Sequence, residues 1–256
     1  MKDVQSERDT RGVYLNRVGI EDLRIPITLK TPSSGPLNTV AEVRLAVDLP
    51  AEERGTHMSR FVEIINEIEI LKPHKIEGVL EHLKERLGSK SAFLDMTFPY
   101  FIKKKAPVTG IESLIDIDCA INAELIGEDF SFFITSSVPV TTLCPCSKEI
   151  SDRGAHNQKA IATITIKSSS LIWYEELVEL VERNASCPVY SLLKRPDEKF
   201  VTESAYDNPK FVEDLTRDIY KELEKIEEIE EFEVYVKSFE SIHNHNAFAL
   251  AIKKEG

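Results

Sequence analysis

Apolar and polar residues alternate with a period of two over residues 23–29 and 40–47, as half-buried strands require. The period then lengthens. Over 58–71 the apolar positions Phe61, Ile64, Ile65 and Ile68 fall on one helical face, and a second helix opens at Pro73. Ile76, Val79, Leu80 and Leu83 form its apolar stripe, and Gly88 stops it. Strand patterning returns at 92–98 and 113–121, completing a β-β-α-α-β-β order. The second half repeats it. Residues 130–141 and 159–167 read as strands and 173–183 as a helix. Asn208-Pro209 opens another helix reaching about residue 226, with Phe211, Leu215, Ile219 and Leu223 as its stripe. Residues 232–239 and 247–252 close the chain as strands. No residue-level identity links the halves, so the repeat is one of element order. It predicts an α+β protein of two tandem modules, 1–126 and 127–256, dividing at the turn Ile126-Gly127-Glu128-Asp129. No Pro/Gly/Ser-rich linker separates them, and short connections favour antiparallel pairing.

Composition narrows the function. The 256 residues include 32 Lys and Arg against 44 Asp and Glu, a net charge of -12, which argues against a nucleic-acid binder with a basic face. No apolar run approaches the roughly 18 residues of a membrane span. The polar N-terminal segment lacks a secretory pattern. A cytoplasmic location follows as the expectation, with Cys119, Cys144, Cys146 and Cys187 as reduced thiols. The acidic run at 227–231 reads as a solvated turn.

The densest chemistry lies in Leu143-Cys144-Pro145-Cys146-Ser147-Lys148, followed by His156 in the polar loop 151–159. Thiolate and imidazole are ligands that Zn²⁺ or Fe²⁺ accepts, so a metal site, a nucleophile and a disulfide are all open readings. A Cys144–Cys146 disulfide closes a very short loop through proline and is sterically poor. A second Cys pair is missing, which disfavours a closed structural zinc site. One cysteine, one histidine and a distant carboxylate would leave a coordination position for water. A histidine at the entrance of a strand can turn back toward the preceding loop, so Cys144 and His156 can meet. Further on, Glu240, His243 and His245 fall within six residues. In extended chain His243 and His245 share a side, which suits proton transfer. Glu198, in Lys194-Arg195-Pro196-Asp197-Glu198, reads by itself as a helix-dipole partner. Glu213, off its helix's apolar stripe, reads as solvated or facing a partner subunit. Arg60, in Gly55-Thr56-His57-Met58-Ser59-Arg60 at a helix start, can contribute to a phosphate site.

These segments together resemble the type IB GTP cyclohydrolase family, metal-dependent enzymes whose motifs differ from those of the common type I form. The similarity rests on Gly-Thr-His-Met-Ser-Arg at 55–60, Leu-Cys-Pro-Cys-Ser-Lys at 143–148, Gly-Ala-His-Asn-Gln at 154–158, Lys-Arg-Pro-Asp-Glu at 194–198 and Glu-Ser-Ile-His-Asn-His at 240–245. The resemblance implies a tunnelling fold, with antiparallel sheets of two modules per subunit assembling into barrels across subunits. It also implies a homotetramer with active sites at subunit interfaces. The implied reaction turns GTP and water into 7,8-dihydroneopterin triphosphate and formate, the entry to folate and to some modified tRNA bases. Residue by residue, it implies that Cys144, His156 and Glu198 hold one divalent metal (Zn, Fe or Mn). Glu213 would anchor the guanine edge, and His243 would protonate the guanine imidazole nitrogen with support from Glu240 and His245. Cys146 would lie near the metal. Lys148, Arg153, Lys194 and Arg60, the last from a neighbouring subunit, are candidate cations for the triphosphate.

Two other readings compete. One is a tunnelling-fold nitrile reductase acting on a deazapurine with a cysteine nucleophile and NADPH; the other is a non-catalytic purine- or pterin-binding protein. A reductase needs no metal, and binding alone needs no thiol.

Overall fold

The protein is described by a computed structural model covering residues 5, 7–32, 35–66 and 73–254. Its packing falls into two compact units. One comprises the described residues up to Pro99 with Ala120–Phe133; the other comprises Tyr100–Cys119 with the described residues from Ile134 onward. The division by element order at 126/127 and this division by packing differ in two places: residues 100–119 of the β3–β4 hairpin pack with the second unit, and residues 127–133 with the first.

In the first unit β1 (Leu15–Lys30) pairs antiparallel with β2 (Pro36–Leu49), and β2 with β3 (Ser91–Lys105). Between β2 and β3 run α1 (Met58–Ile65) and α2 (Pro73–Leu87), as the pattern predicts. Phe61, Ile64 and Ile65 of α1 and Ile76, Leu80 and Leu83 of α2 are buried, as are Ala41, Val43, Leu45 and Val47 of β2. Ile68 lies outside the described residues. β4 (Glu112–Ile126) turns into β5 (Asp129–Leu143) through two residues, and Gly127 takes the positive φ of 62° that so tight a turn requires.

β1 and β2 approach closely at Gly19. A Cβ there would lie 1.9 Å from the Leu45 carbonyl oxygen and 2.7 Å from Ala46 Cα, both backbone atoms that no side-chain movement can clear. Gly19→Ala should therefore cost about 2–4 kcal/mol of stability by forcing the strands apart. Thermal midpoints compared at equal protein concentration check this; an unchanged midpoint would contradict the close approach.

The second unit repeats the scheme with additions. β6 (Asn157–Ser168), β8 (Ile229–Ser238) and β9 (Ala247–Lys253) form an antiparallel run in that order. α4 (Tyr174–Asn184) and α6 (Val212–Leu223) separate β6 from β8. Leu177, Val178, Leu180 and Val181 of α4 are buried, as are Val212, Leu215, Ile219 and Leu223 of α6. Three elements have no counterpart in the first half: α3 (Pro145–Ile150), the two-residue β7 (Cys187–Pro188) and α5 (Arg195–Asp207). α3 carries Cys146 and Lys148, with Cys144 as its cap, and α5 carries Glu198, so the departures from the repeat hold much of the candidate chemistry.

The pattern reads the strands short, since β1, β3 and β4 extend well beyond 23–29, 92–98 and 113–121, and it reads one helix signal the wrong way round. Asn208 closes α5 instead of opening the next helix, its amide N–H donating to the Ser204 carbonyl. α6 starts at Val212 with Phe211 as its N-cap, and Phe211 is consequently 38% exposed rather than part of the buried stripe.

Candidate active site

The last residues of β5 deliver Cys144 to the mouth of α3. Pro145 starts the helix, where its missing N–H costs nothing. The Cys144 sulfur accepts the Ser147 N–H at 3.4 Å, and the Cys144 carbonyl accepts from Ser147 Oγ at 3.1 Å and from Lys148 N–H at 3.2 Å. This fixes the sulfur at the cap. Leu143 is braced from the other side: its N–H donates to Ser186 Oγ at 3.1 Å, its carbonyl accepts Lys210 N–H at 3.0 Å, and Thr141 pairs with Cys187 in β7. All four cysteines are free thiols; Cys144 is half-buried and Cys146 exposed, whereas Cys119 and Cys187 are buried. Burial pushes the thiols of Cys119 and Cys187 up, which suits packed, inert sulfurs.

His156 meets Cys144 through the backbone. Its carbonyl accepts the Cys144 N–H at 3.1 Å, and its own N–H donates to Ser147 Oγ at 3.2 Å. Ser147 thus ties the thiol segment to the histidine, a role that a serine inside a cysteine motif does not advertise in sequence. The imidazole Nδ1 lies 3.0 Å from Gln158 Oε1 and 3.4 Å from Ser241 Oγ. An amide oxygen accepts, so the tautomer compatible with this contact has its proton on Nδ1 and its lone pair on Nε2. That is the tautomer a metal ligand needs, oriented by a neighbouring acceptor as metal-binding histidines usually are. The donor chemistry of Cys144 and His156 therefore fits a divalent metal.

Glu198 is exposed in the first turn of α5. Among the described residues no group of three or more His, Cys, Asp or Glu side chains is gathered as a metal cluster. The residue before it is the more constrained. Asp197 is fully buried, and its carboxylate accepts from Val108 N–H (2.9 Å), Thr109 N–H (2.8 Å), Thr109 Oγ1 (2.8 Å) and Lys194 N–H (2.9 Å). Burial alone would raise its pKa; the hydrogen bonds from Thr109, Lys194 and Val108 outweigh that and hold the carboxyl at about 2. Asp197 was not among the residues picked out by sequence. Its only signal is its position three residues after Lys194, where an acidic side chain can reach back to the helix's first N–H groups.

The segment after β8 brings the remaining groups. Ser238 Oγ donates to Glu240 Oε1 at 2.8 Å, Ser241 reaches His156, and the rings of His243 and His245 stack with centroids 5.1 Å apart. The two histidines do share a side, and both are exposed. Glu213 is exposed on the first turn of α6. Lys148 is engaged: its ammonium donates to the Tyr206 carbonyl at the end of α5 and lies 4.3 Å from the Tyr206 ring centroid. Arg60, in the first unit, donates to the Arg86 carbonyl at 2.8 Å.

The architecture is that of the tunnelling fold. Uricase from Arthrobacter globiformis matches it with a TM-score of 0.55 at 8% identity, covering 94% of this chain and 93% of that one. Urate oxidase from Bacillus sp. TB-90 matches with a TM-score of 0.54 at 9% identity, covering 95% and 100%. Within that fold the family is specific. The family described as type I GTP cyclohydrolase folE2 matches residues 1–249, and the chain belongs to it. Proteins named GTP cyclohydrolase FolE2 from Dictyoglomus turgidum (56% identical; 99% of this chain, 98% of the relative), Thermotoga maritima (53%; 99% and 97%) and Fervidobacterium nodosum (50%; 100% and 98%) are similar along their whole length. The nitrile-reductase and binding-protein readings lie outside this family.

Proposed function

We propose that the protein is a GTP cyclohydrolase of folate biosynthesis that opens the guanine imidazole ring hydrolytically, yielding formate and 7,8-dihydroneopterin triphosphate. The observation that carries the mechanism is the apposition of Cys144 and His156, with Nδ1 of His156 committed to Gln158 and Nε2 left to bind. Cys144, His156 and Glu198 would hold one divalent metal, whether zinc, iron or manganese. When bound there, such an ion supplies Lewis acidity and lowers the pKa of water from about 16 toward 7.

The chain's own groups do the rest. His243 delivers a proton to the guanine ring nitrogen as the C8–N bond opens, with His245 stacked on it and Glu240 close in sequence. Glu213 accepts from the ring N–H and exocyclic amine of guanine, a pairing that a carboxylate's two oxygens match. Lys148, on exchanging the Tyr206 carbonyl for phosphate, and Arg60 from a neighbouring subunit neutralise the triphosphate, with Arg153 and Lys194 as further cations.

We place the enzyme in the cytoplasm as a homotetramer with barrels closed between subunits. β9 supports this: it pairs with β8 and with no other strand among the described residues, and its Phe248, Leu250 and Ile252 are exposed along one face. Among the described residues no helix is long and apolar enough to cross a membrane. The test is stoichiometry. One formate should appear per GTP consumed, with the triphosphate intact in the product, and chelation followed by metal return should abolish and restore turnover. Turnover that persists through exhaustive chelation would reject the metal, and loss of GTP without formate would reject the reaction.

A further inference from the structure

The β3–β4 hairpin reaches the candidate site without contributing a residue to it. Its end is closed by the Ala106 N–H to the Ile111 carbonyl and the Gly110 N–H to the Ala106 carbonyl. Two anchors leave this tip. The first is Lys104, whose largely buried ammonium donates to the Glu182 carboxylate on α4 and to the Val189 carbonyl at 2.7 Å, and lies 4.3 Å from the Tyr190 ring centroid. The second is the turn itself, where Val108 N–H, Thr109 N–H and Thr109 Oγ1 all donate to Asp197.

The stretch from Val189 to Asp197 is thus tied at both ends to one hairpin. At its near end it continues from β7, which pairs with β5 just ahead of Cys144; at its far end it passes directly into Glu198. A buried carboxylate with every bond satisfied is rigid, because any displacement breaks several charge-assisted hydrogen bonds at once. Asp197 is buried and immobilised while the next residue is exposed, so the hairpin fixes where α5 starts and where its first-turn carboxylate stands.

We propose that Thr109 and Asp197, with Lys104 behind them, are positioning residues that set Glu198 for the metal site, so that the tip at 104–109 acts on catalysis without touching substrate. This rests on the reading of Glu198 as a metal ligand. Groups that orient metal ligands typically change metal affinity or activity by about 10–100-fold when removed.

Thr109→Val is the informative variant, since it removes one donor while both backbone N–H groups and the side-chain shape remain. Thr109→Ser keeps the hydroxyl. The first unit supplies a matched control. Buried Asp48 accepts two backbone N–H groups, from Lys90 and Ser91, where Asp197 accepts three, and like Asp197 it accepts one hydroxyl, from Tyr14 at 2.7 Å. Tyr14→Phe should therefore cost similar stability at a site remote in function. Three readouts are taken on the full-length enzyme: metal affinity by chelator competition, kcat and KM for GTP, and the thermal midpoint.

Thr109→Val is expected to lose about 10-fold in metal affinity and in kcat, with KM little changed. Thr109→Ser and Tyr14→Phe should keep wild-type affinity and kcat. Wild-type affinity and kcat in Thr109→Val would overturn the proposal, and so would equal losses in Tyr14→Phe at a matched fall in thermal midpoint. Should the wild type prove indifferent to chelation, the metal reading fails separately, and the hairpin's role is decided by kcat of Thr109→Val against Tyr14→Phe.

Discussion

Cys144→Ala should lower the rate of formate release from GTP by about three orders of magnitude, the effect of losing several kcal/mol of metal-assisted stabilisation. The loss should be far larger than for Cys146→Ser, although the two thiols are one residue apart. The reason lies in α3. Cys144 caps that helix, with its sulfur held by the Ser147 N–H and its backbone joined to His156, while Cys146 projects exposed from the first turn. One thiol is fixed at a helix cap whose backbone is bonded to the histidine segment, and the other is not. Single-turnover formate release on anaerobically purified protein measures the difference. Cys144→Ala retaining more than about a tenth of the wild-type rate, roughly 1.4 kcal/mol in the barrier, would remove Cys144 from the reaction.

The second large effect belongs to His243. Replacing it with alanine should reduce kcat by about 10²–10⁴-fold, the usual contribution of a positioned proton donor, with KM for GTP changed only a few-fold. Its geometry supports the separation of roles. Ser241, two residues earlier, contacts Nδ1 of His156, so the loop that carries His243 is pinned beside the proposed ligand histidine, and His243 itself stays exposed against His245. Metal content should be unchanged in His243→Ala. A fall in metal content together with kcat would instead make His243 part of the metal site.

Much of the fold was legible because most elements bury a periodic apolar face. Phe61, Ile64 and Ile65 on α1, Ile76, Leu80 and Leu83 on α2, and Leu215, Ile219 and Leu223 on α6 are all buried where the periodicity puts them. α3 and α5 escaped that signal for a physical reason. α3 buries none of its residues and α5 buries only Asp197 and Ala205, so neither shows an apolar stripe. They exist through their caps: the Cys144 sulfur on Ser147, and Asp197 on Lys194. The Asn208-Pro209 signal marked a helix boundary correctly but on the wrong side, closing α5 where an opening was read. The meeting of Cys144 and His156 followed from their spacing around a loop and strand start. Ser147, Gln158 and Asp197 did not, since a serine, a glutamine and an acidic residue in polar segments look solvated until their partners are known. Glu198 and Glu213 remain exposed, as the residues alone suggest, and their functional reading comes from family membership.

The central claim is that Cys144, and not Cys146, binds the metal beside His156. Cobalt(II) substitution of the anaerobic apoprotein tests it most directly, because thiolate coordination gives an intense near-ultraviolet charge-transfer absorption that imidazole and carboxylate ligands do not. The band should appear in the wild type and in Cys146→Ser and vanish in Cys144→Ala. Its persistence in Cys144→Ala, or its loss in Cys146→Ser alone, would contradict the assignment.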